Sequence, residues 1–141
     1  MIYQPETLDK YRQEAKELGY GVPEGYYDAD IMELVRVCNG VGGQGSKINP
    51  ILNFAYRRYQ GIAAPHDWGY DEGGTEDDKV RLDKEFLSNG LIRWRVLYGR
   101  LRWINPFALF DRNKLRVGYK ALRLFGYQYF NYHDKNSQGK G

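Results

Sequence analysis

Two adjacent glycines, Gly73 and Gly74, constrain this chain more than any other feature, because they separate two stretches that both read as helix. Pro65 suits the first position of a helix, where its missing N–H would be unpaired anyway, so 65–72 reads as a short helix that the glycines end. Thr75 with Asp78 three residues later is a capping box in which Asp replaces the usual Glu. Val80, Leu82, Phe86 and Leu87 then follow at helical spacing to a stop at Asn89 and Gly90. Joined by so short a turn, the two helices are expected to lie antiparallel. His66 stands seven residues before the turn and Asp83 nine after it, about 10 Å and 13 Å of helix rise, so the two reach nearly the same height.

Elsewhere the same periodicity predicts a mainly α chain with few strand signals and no internal repeat. Leu8, Tyr11, Ala15 and Leu18 mark a helix over 7–18 that Gly19 stops. Asp28 is placed to cap a second, carrying Ile31, Leu34, Val35 and Cys38, after which a glycine-dense loop runs from Asn39 to about Ser46. Residues 49–60 read as irregular or weakly helical. Two more helical patterns, about 91–103 and 112–130, are separated by Pro106, and the polar tail reads as frayed. At 141 residues the length supports one domain over 1–141, with a core at about 28–90, a basic aromatic helical extension at about 91–132 and a flexible tail at 133–141.

Charged residues at 28% and hydrophobic residues at 42% exclude a disordered chain, and 13 tyrosines demand a structural reason. No stretch approaches the roughly 20 apolar residues of a membrane span, and the charged residues of 1–16 do not read as a signal peptide. The expectation is cytoplasmic synthesis. The single cysteine, Cys38, has no partner within the chain, so packing or metal must hold the domain unless Cys38 pairs with another chain.

Charge divides the sequence. Residues 1–90 carry 10 Lys and Arg against 16 Asp and Glu, and residues 91–141 carry 11 against 2, so a net −6 front and a net +9 end together give the chain's +3. Arginines such as Arg93, Arg102 and Arg123 interleave there with Trp94, Trp103, Phe107 and Phe110. Such a mixture suits a phospholipid membrane surface, a nucleic acid, or packing into a larger assembly such as a virion. Leu115, Leu122, Phe125 and Tyr129, at helical spacing, are most simply explained as core.

Three features carry chemistry together. Asn39-Gly40-Val41-Gly42-Gly43 after Cys38 lets carbonyl oxygens converge as a hard cation requires, although alone it is also an ordinary turn. His66 and Tyr70 share one helix face while Asp67 projects about 100° away, so histidine and aspartate serve different neighbours. Asp83 lies between the inward-facing Leu82 and Phe86, and an aspartate that accepts from one imidazole nitrogen leaves the other free to take a proton. Separately, His66 reads equally as a structural histidine and Asp83 as a solvated helix residue.

Taken in order, the glycine run, His66-Asp67-Trp68-Gly69-Tyr70 and Leu82-Asp83-Lys84-Glu85-Phe86 resemble the phospholipase A2 superfamily over roughly residues 35–90. The likeness is to its disulfide-free phage, bacterial and parvovirus-capsid members. Asn39 stands where secreted members carry a cysteine, and the spacing from Gly43 to His66 is longer than theirs. The resemblance implies two antiparallel catalytic helices preceded by a calcium loop. It also implies that the Cys38, Gly40 and Gly42 carbonyls and the Asp67 carboxylate bind Ca2+, that His66 is the general base, that Asp83 orients it, and that Tyr70 bonds to Asp83. The Gly40 N–H would stabilise an oxyanion. The implied activity is calcium-dependent hydrolysis of the sn-2 ester of phospholipids at a membrane interface, in a phage or prophage setting. Two alternatives stand beside it: a catalytically silent virion component on the same scaffold, and a nucleic-acid-binding module that uses the basic third.

Overall fold

A computed structural model of the chain describes residues 3–38 and 55–133. Among these residues the structure is mainly helical, and an isolated parallel bridge joins Gly74 to Tyr132. The glycine loop after Cys38, including Gly40 and Gly42, lies outside the described residues, as does the tail from Asp134.

The first helix, α1 (Pro5–Leu18), starts earlier than the spacing predicts because Pro5 is well placed in its first turn. It stops at Gly19, whose φ of 73° is the left-handed conformation that glycine adopts without a Cβ penalty. The next, α2 (Ile31–Val37), is capped by Asp30 rather than Asp28: its carboxylate accepts the Met32 N–H at 2.9 Å.

Pro65 does not open the third helix. A 3-10 turn over Arg57–Tyr59 leads directly into α3 (Gln60–Glu72), and Pro65 lies inside it. Every residue from Gln60 to His66 is buried, and α3 packs against α1, α2 and α4, so burial on several sides offsets the backbone bond that proline cannot make.

Gly73 and Gly74 end α3, and Thr75 and Asp78 form the predicted capping box of α4 (Glu76–Tyr98). That helix runs straight through the predicted stop. Asn89 spends its side chain elsewhere, accepting the Gly21 N–H at 2.9 Å and donating to the Gly21 carbonyl at 2.8 Å. Gly90 admits close neighbours, since a Cβ there would stand 2.7 Å from Leu115 and 3.1 Å from Ile62. Pro106 marks the expected break between two helices and is itself the first residue of the second, which therefore starts earlier than 112: α5 (Pro106–Phe125) follows a 3-10 turn at Gly99–Leu101, with Asn105 capping the Phe107 N–H at 2.9 Å. The predicted segments 91–103 and 112–130 are therefore the end of α4 and most of α5, closed by a 3-10 turn at Gly126–Gln128.

The main core joins Ala15, Tyr59, Ile62, Phe86 and Trp94 to Ala108 and Leu115 of α5, so the basic third contributes to the same interior. Leu115 is buried and Leu122 packs against this core, whereas Phe125 and Tyr129, expected in the core, face outward. A second cluster gathers Tyr3, Leu8, Tyr26, Leu34, Cys38 and Ala64 under α2. The tyrosine excess finds its explanation here. Tyr20, Tyr56, Tyr59 and Tyr132 each place an apolar ring against neighbours while the hydroxyl donates to Glu14, the Lys114 carbonyl, Asp111 and Glu76 respectively. Among the described residues no helix is long and apolar enough to cross a membrane.

Candidate active site

The reversal at Gly73 and Gly74 brings His66 of α3 and Asp83 of α4 together. His66 Nε2 lies 3.1 Å from Asp83 Oδ1, with the carboxylate fully buried and the imidazole 7% exposed. Tyr70, one turn beyond His66, donates its hydroxyl to the same oxygen at 2.5 Å. Its ring lies 4.1 Å from the imidazole between centroids, and Phe86 meets the imidazole edge-on at 5.3 Å. Gly69 makes this closeness feasible, because a Cβ there would come within 2.4 Å of Leu82. His66 and Asp83 thus meet as their spacing predicts, and Tyr70 bonds to the same carboxylate, a contact that only the resemblance implied.

The second carboxylate oxygen has partners that the sequence reading did not identify. Lys79 Nζ and a guanidinium nitrogen of Arg123 each donate to Asp83 Oδ2 at 2.8 Å. Lys79 is almost wholly buried and also donates to the Leu122 carbonyl at 2.9 Å, while Arg123 pairs with Glu76 at 3.4 Å. Lys79 sits four residues before Asp83, a spacing that puts both on one helix face and was available as a signal. Nothing local points to Arg123, forty residues away on another helix.

These contacts fix protonation. Burial pushes the Asp83 carboxyl pKa up, but the bonds from His66, Lys79 and Tyr70 outweigh it and hold the value down to about 2. An ionised carboxylate only accepts, so the shared proton belongs to His66 Nε2, and Nδ1 is left as the basic nitrogen. Burial, then the Asp83 charge, pushes the Tyr70 hydroxyl well above its ordinary value, so it remains a donor.

Beside the imidazole runs a narrow crevice lined by Gly21, Pro23, Leu82, Glu85 and Phe86 among others. It has no room for a water-sized sphere, so entry from this side requires a side chain to move. Glu85 and Asn89 are polar groups of its lining, and burial raises the Glu85 carboxyl pKa against the opposing pull of Arg81 and His66.

Asp67 serves other neighbours, as its position on the helix predicts. Burial first, and then the Asp67 charge, raises the Cys38 thiol and the Tyr3 hydroxyl, and Asp67 adds more weakly to the same rise at Tyr26. Asp67 therefore lies close enough to Tyr3 and Cys38 for its charge to be felt there. Cys38 is seated on α3 by a hydrogen bond from Sγ to the Ala64 carbonyl at 3.4 Å. In the same region the Tyr26 hydroxyl is buried without a hydrogen-bond partner among the described residues. Among the described residues no three His, Cys, Asp or Glu side chains converge as a metal site. The expected set draws on a single carboxylate and on backbone carbonyls. Of that set the described residues include Cys38 and Asp67.

Compared with protein-family models, with curated proteins and with solved structures, the chain matches none.

Proposed function

We propose that the chain is a calcium-dependent hydrolase of the phospholipid sn-2 ester, of phospholipase A2 type. The observation that carries this reading is the 3.1 Å pairing of His66 Nε2 with an ionised, buried Asp83 that Tyr70 also holds. Such a pair leaves Nδ1 as a positioned base. The chemistry of the donors fits a hard cation: Asp67 would supply a carboxylate near Cys38, after which the glycine loop begins, and the buried Tyr26 hydroxyl, whose pKa the Asp67 charge also raises, lacks a partner among the described residues.

In this mechanism His66 Nδ1 takes a proton from a water molecule, whose oxygen bonds to the ester carbonyl carbon. Asp83 holds the Nε2–H and stabilises the imidazolium by charge, and Tyr70 keeps the carboxylate oriented. The proton on Nδ1 then passes to the departing glycerol oxygen as the ester C–O bond breaks. The Gly40 N–H would donate to the carbonyl oxygen as it becomes negative. Calcium held by Asp67 and the Cys38, Gly40 and Gly42 carbonyls would polarise that carbonyl and balance the developing charge.

The two cations on Oδ2 favour a second reading, a silent scaffold in which Asp83 serves an ionic cluster and no turnover occurs. Fatty-acid release from phospholipid vesicles, with calcium and with chelator, separates the two. The hydrolase reading expects calcium-dependent release that falls by about 10²- to 10⁴-fold in His66→Gln. Release that is absent, or that survives this substitution, rejects it.

A further inference from the structure

The corner where α4 hands over to α5 exposes an unusual amount of apolar surface. Within residues 101–110, Leu101, Trp103, Ile104, Phe107 and Phe110 are 65%, 54%, 76%, 75% and 63% exposed. Single exposed apolar side chains are ordinary, but five large ones in so short a stretch mark a contact surface. The corner is also built firmly. Trp103 packs edge-on against the buried Trp94 at 5.1 Å, Arg112 lies over the Trp103 ring at 5.1 Å, and Trp94 Nε1 donates to the Ala108 carbonyl at 2.6 Å.

Charge identifies the occupant. Arg100, Arg102 and Arg112 border the apolar group, and Asp111 is the only acidic residue between 91 and 133. Asp111 is itself buried, its carboxylate accepting from Tyr59 at 3.0 Å and Tyr98 at 2.7 Å and pairing with Lys114 at 3.2 Å. The corner therefore presents cations and apolar groups with no exposed carboxylate of its own segment. A second copy of the same surface would meet like charge. A nucleic acid would satisfy the arginines, but Leu101 and Ile104 have no flat face on which a base could stack. An anionic bilayer satisfies both, with arginines at the headgroups and the apolar side chains just beneath them.

We infer that this corner, centred on Trp103, Ile104 and Phe107, is a docking surface for anionic phospholipid bilayers. The inference rests on the lipid-hydrolase reading for its purpose and deepens it by naming where the protein meets the membrane.

The test is sedimentation of the full chain with vesicles of phosphatidylcholine alone or mixed with phosphatidylglycerol, in chelator so that no turnover intrudes. The protein should partition onto the mixed vesicles far more than onto the neutral ones, and less as salt rises. Ile104→Glu with Phe107→Glu should lower partitioning about tenfold or more at an unchanged melting temperature, because both side chains are exposed. Arg100→Gln should lower it about fivefold, the equivalent of roughly 1 kcal/mol per cation near such a surface. Should the glutamate variant melt early, Ile104→Ser with Phe107→Ser replaces it.

Equal partitioning of wild type and folded variant overturns the inference. So does a result in which the same substitutions abolish self-association or binding to transfer RNA but leave vesicle binding intact. Vesicle binding without ester release in calcium rejects the hydrolase reading alone. Ester release from detergent-mixed micelles without vesicle binding rejects the docking surface alone.

Discussion

Arg123 reaches from α5 to Oδ2 of Asp83 at 2.8 Å, while His66 takes the other oxygen of the same carboxylate. The last helix of the described chain is thereby tied to the group that orients the proposed base.

Asp83→Asn should destabilise the fold strongly, because Lys79 is buried and would lose its counter-charge. Breaking a buried pair by removing one partner costs about 3–5 kcal/mol. Arg123→Met should cost less, since Lys79 still neutralises Asp83 and Arg123 is partly exposed. Urea unfolding of both variants measures this, and an Asp83→Asn midpoint equal to wild type would remove the ionic cluster from any account of stability.

Stability should fall in acid through the same residue. With its folded pKa held to about 2, below the roughly 3.9 of an unfolded aspartate, Asp83 contributes stability fully present above about pH 4. That contribution is lost as pH falls toward 2, and a depression of this size is worth about 2–3 kcal/mol. Unfolding free energies measured from pH 6 to pH 2 should drop across this window in wild type and drop less steeply in Asp83→Asn.

Millimolar calcium should raise the melting temperature if Asp67 and the loop carbonyls hold it, because a ligand that binds only the folded state stabilises by mass action. At a hundred times its dissociation constant the gain is about 2.7 kcal/mol. Magnesium should do less, as it keeps its waters and demands octahedral geometry. Asp67→Asn should lose the shift and His66→Gln should keep it, and a calcium-insensitive melt of folded wild type counts against the metal site.

Gly73→Ala should disturb the end of α3 more than an ordinary surface change. Gly73 has φ 73°, and a Cβ there would stand 1.7 Å from the Asn131 carbonyl oxygen. With ψ at −154° this backbone lies in a region essentially reserved for glycine, where an alanine alone costs about 1–3 kcal/mol, and relieving the clash must displace Asn131. Amide exchange at Gly74 and His133, which bond across this contact, should accelerate in the variant.

Much of this arrangement was legible in the order of residues. The glycine pair, the Thr75 box and the spacing of His66, Tyr70 and Asp83 act locally, so a sequence reader meets them as they fold. What escaped reading depends on partners distant in the chain. Asn89 and Gly90 look like a helix stop, yet their local signal yields to Gly21, Ile62 and Leu115, which use the amide and the missing Cβ for tertiary packing. Pro65 looks like a helix start, yet the buried stretch from Gln60 extends the helix behind it. Arg123 reads as one more cation of a basic third until α5 is folded against α4.

The bridge at Gly74 sets an order in time. Asn131 N–H donates to the Tyr70 carbonyl at 3.1 Å, and Gly74 N–H donates to the Asn131 carbonyl at 3.0 Å. The Asn131 side chain also reaches the Asp71 carbonyl at 2.9 Å. A ribosome has therefore produced His66 and Asp83 well before the residues that clamp and seal them. A nascent chain carries Asp83 without Arg123, and the end of α3 without its cover, until synthesis has passed Asn131. The second oxygen of Asp83 and the end of α3 receive their last partners only when synthesis is nearly complete.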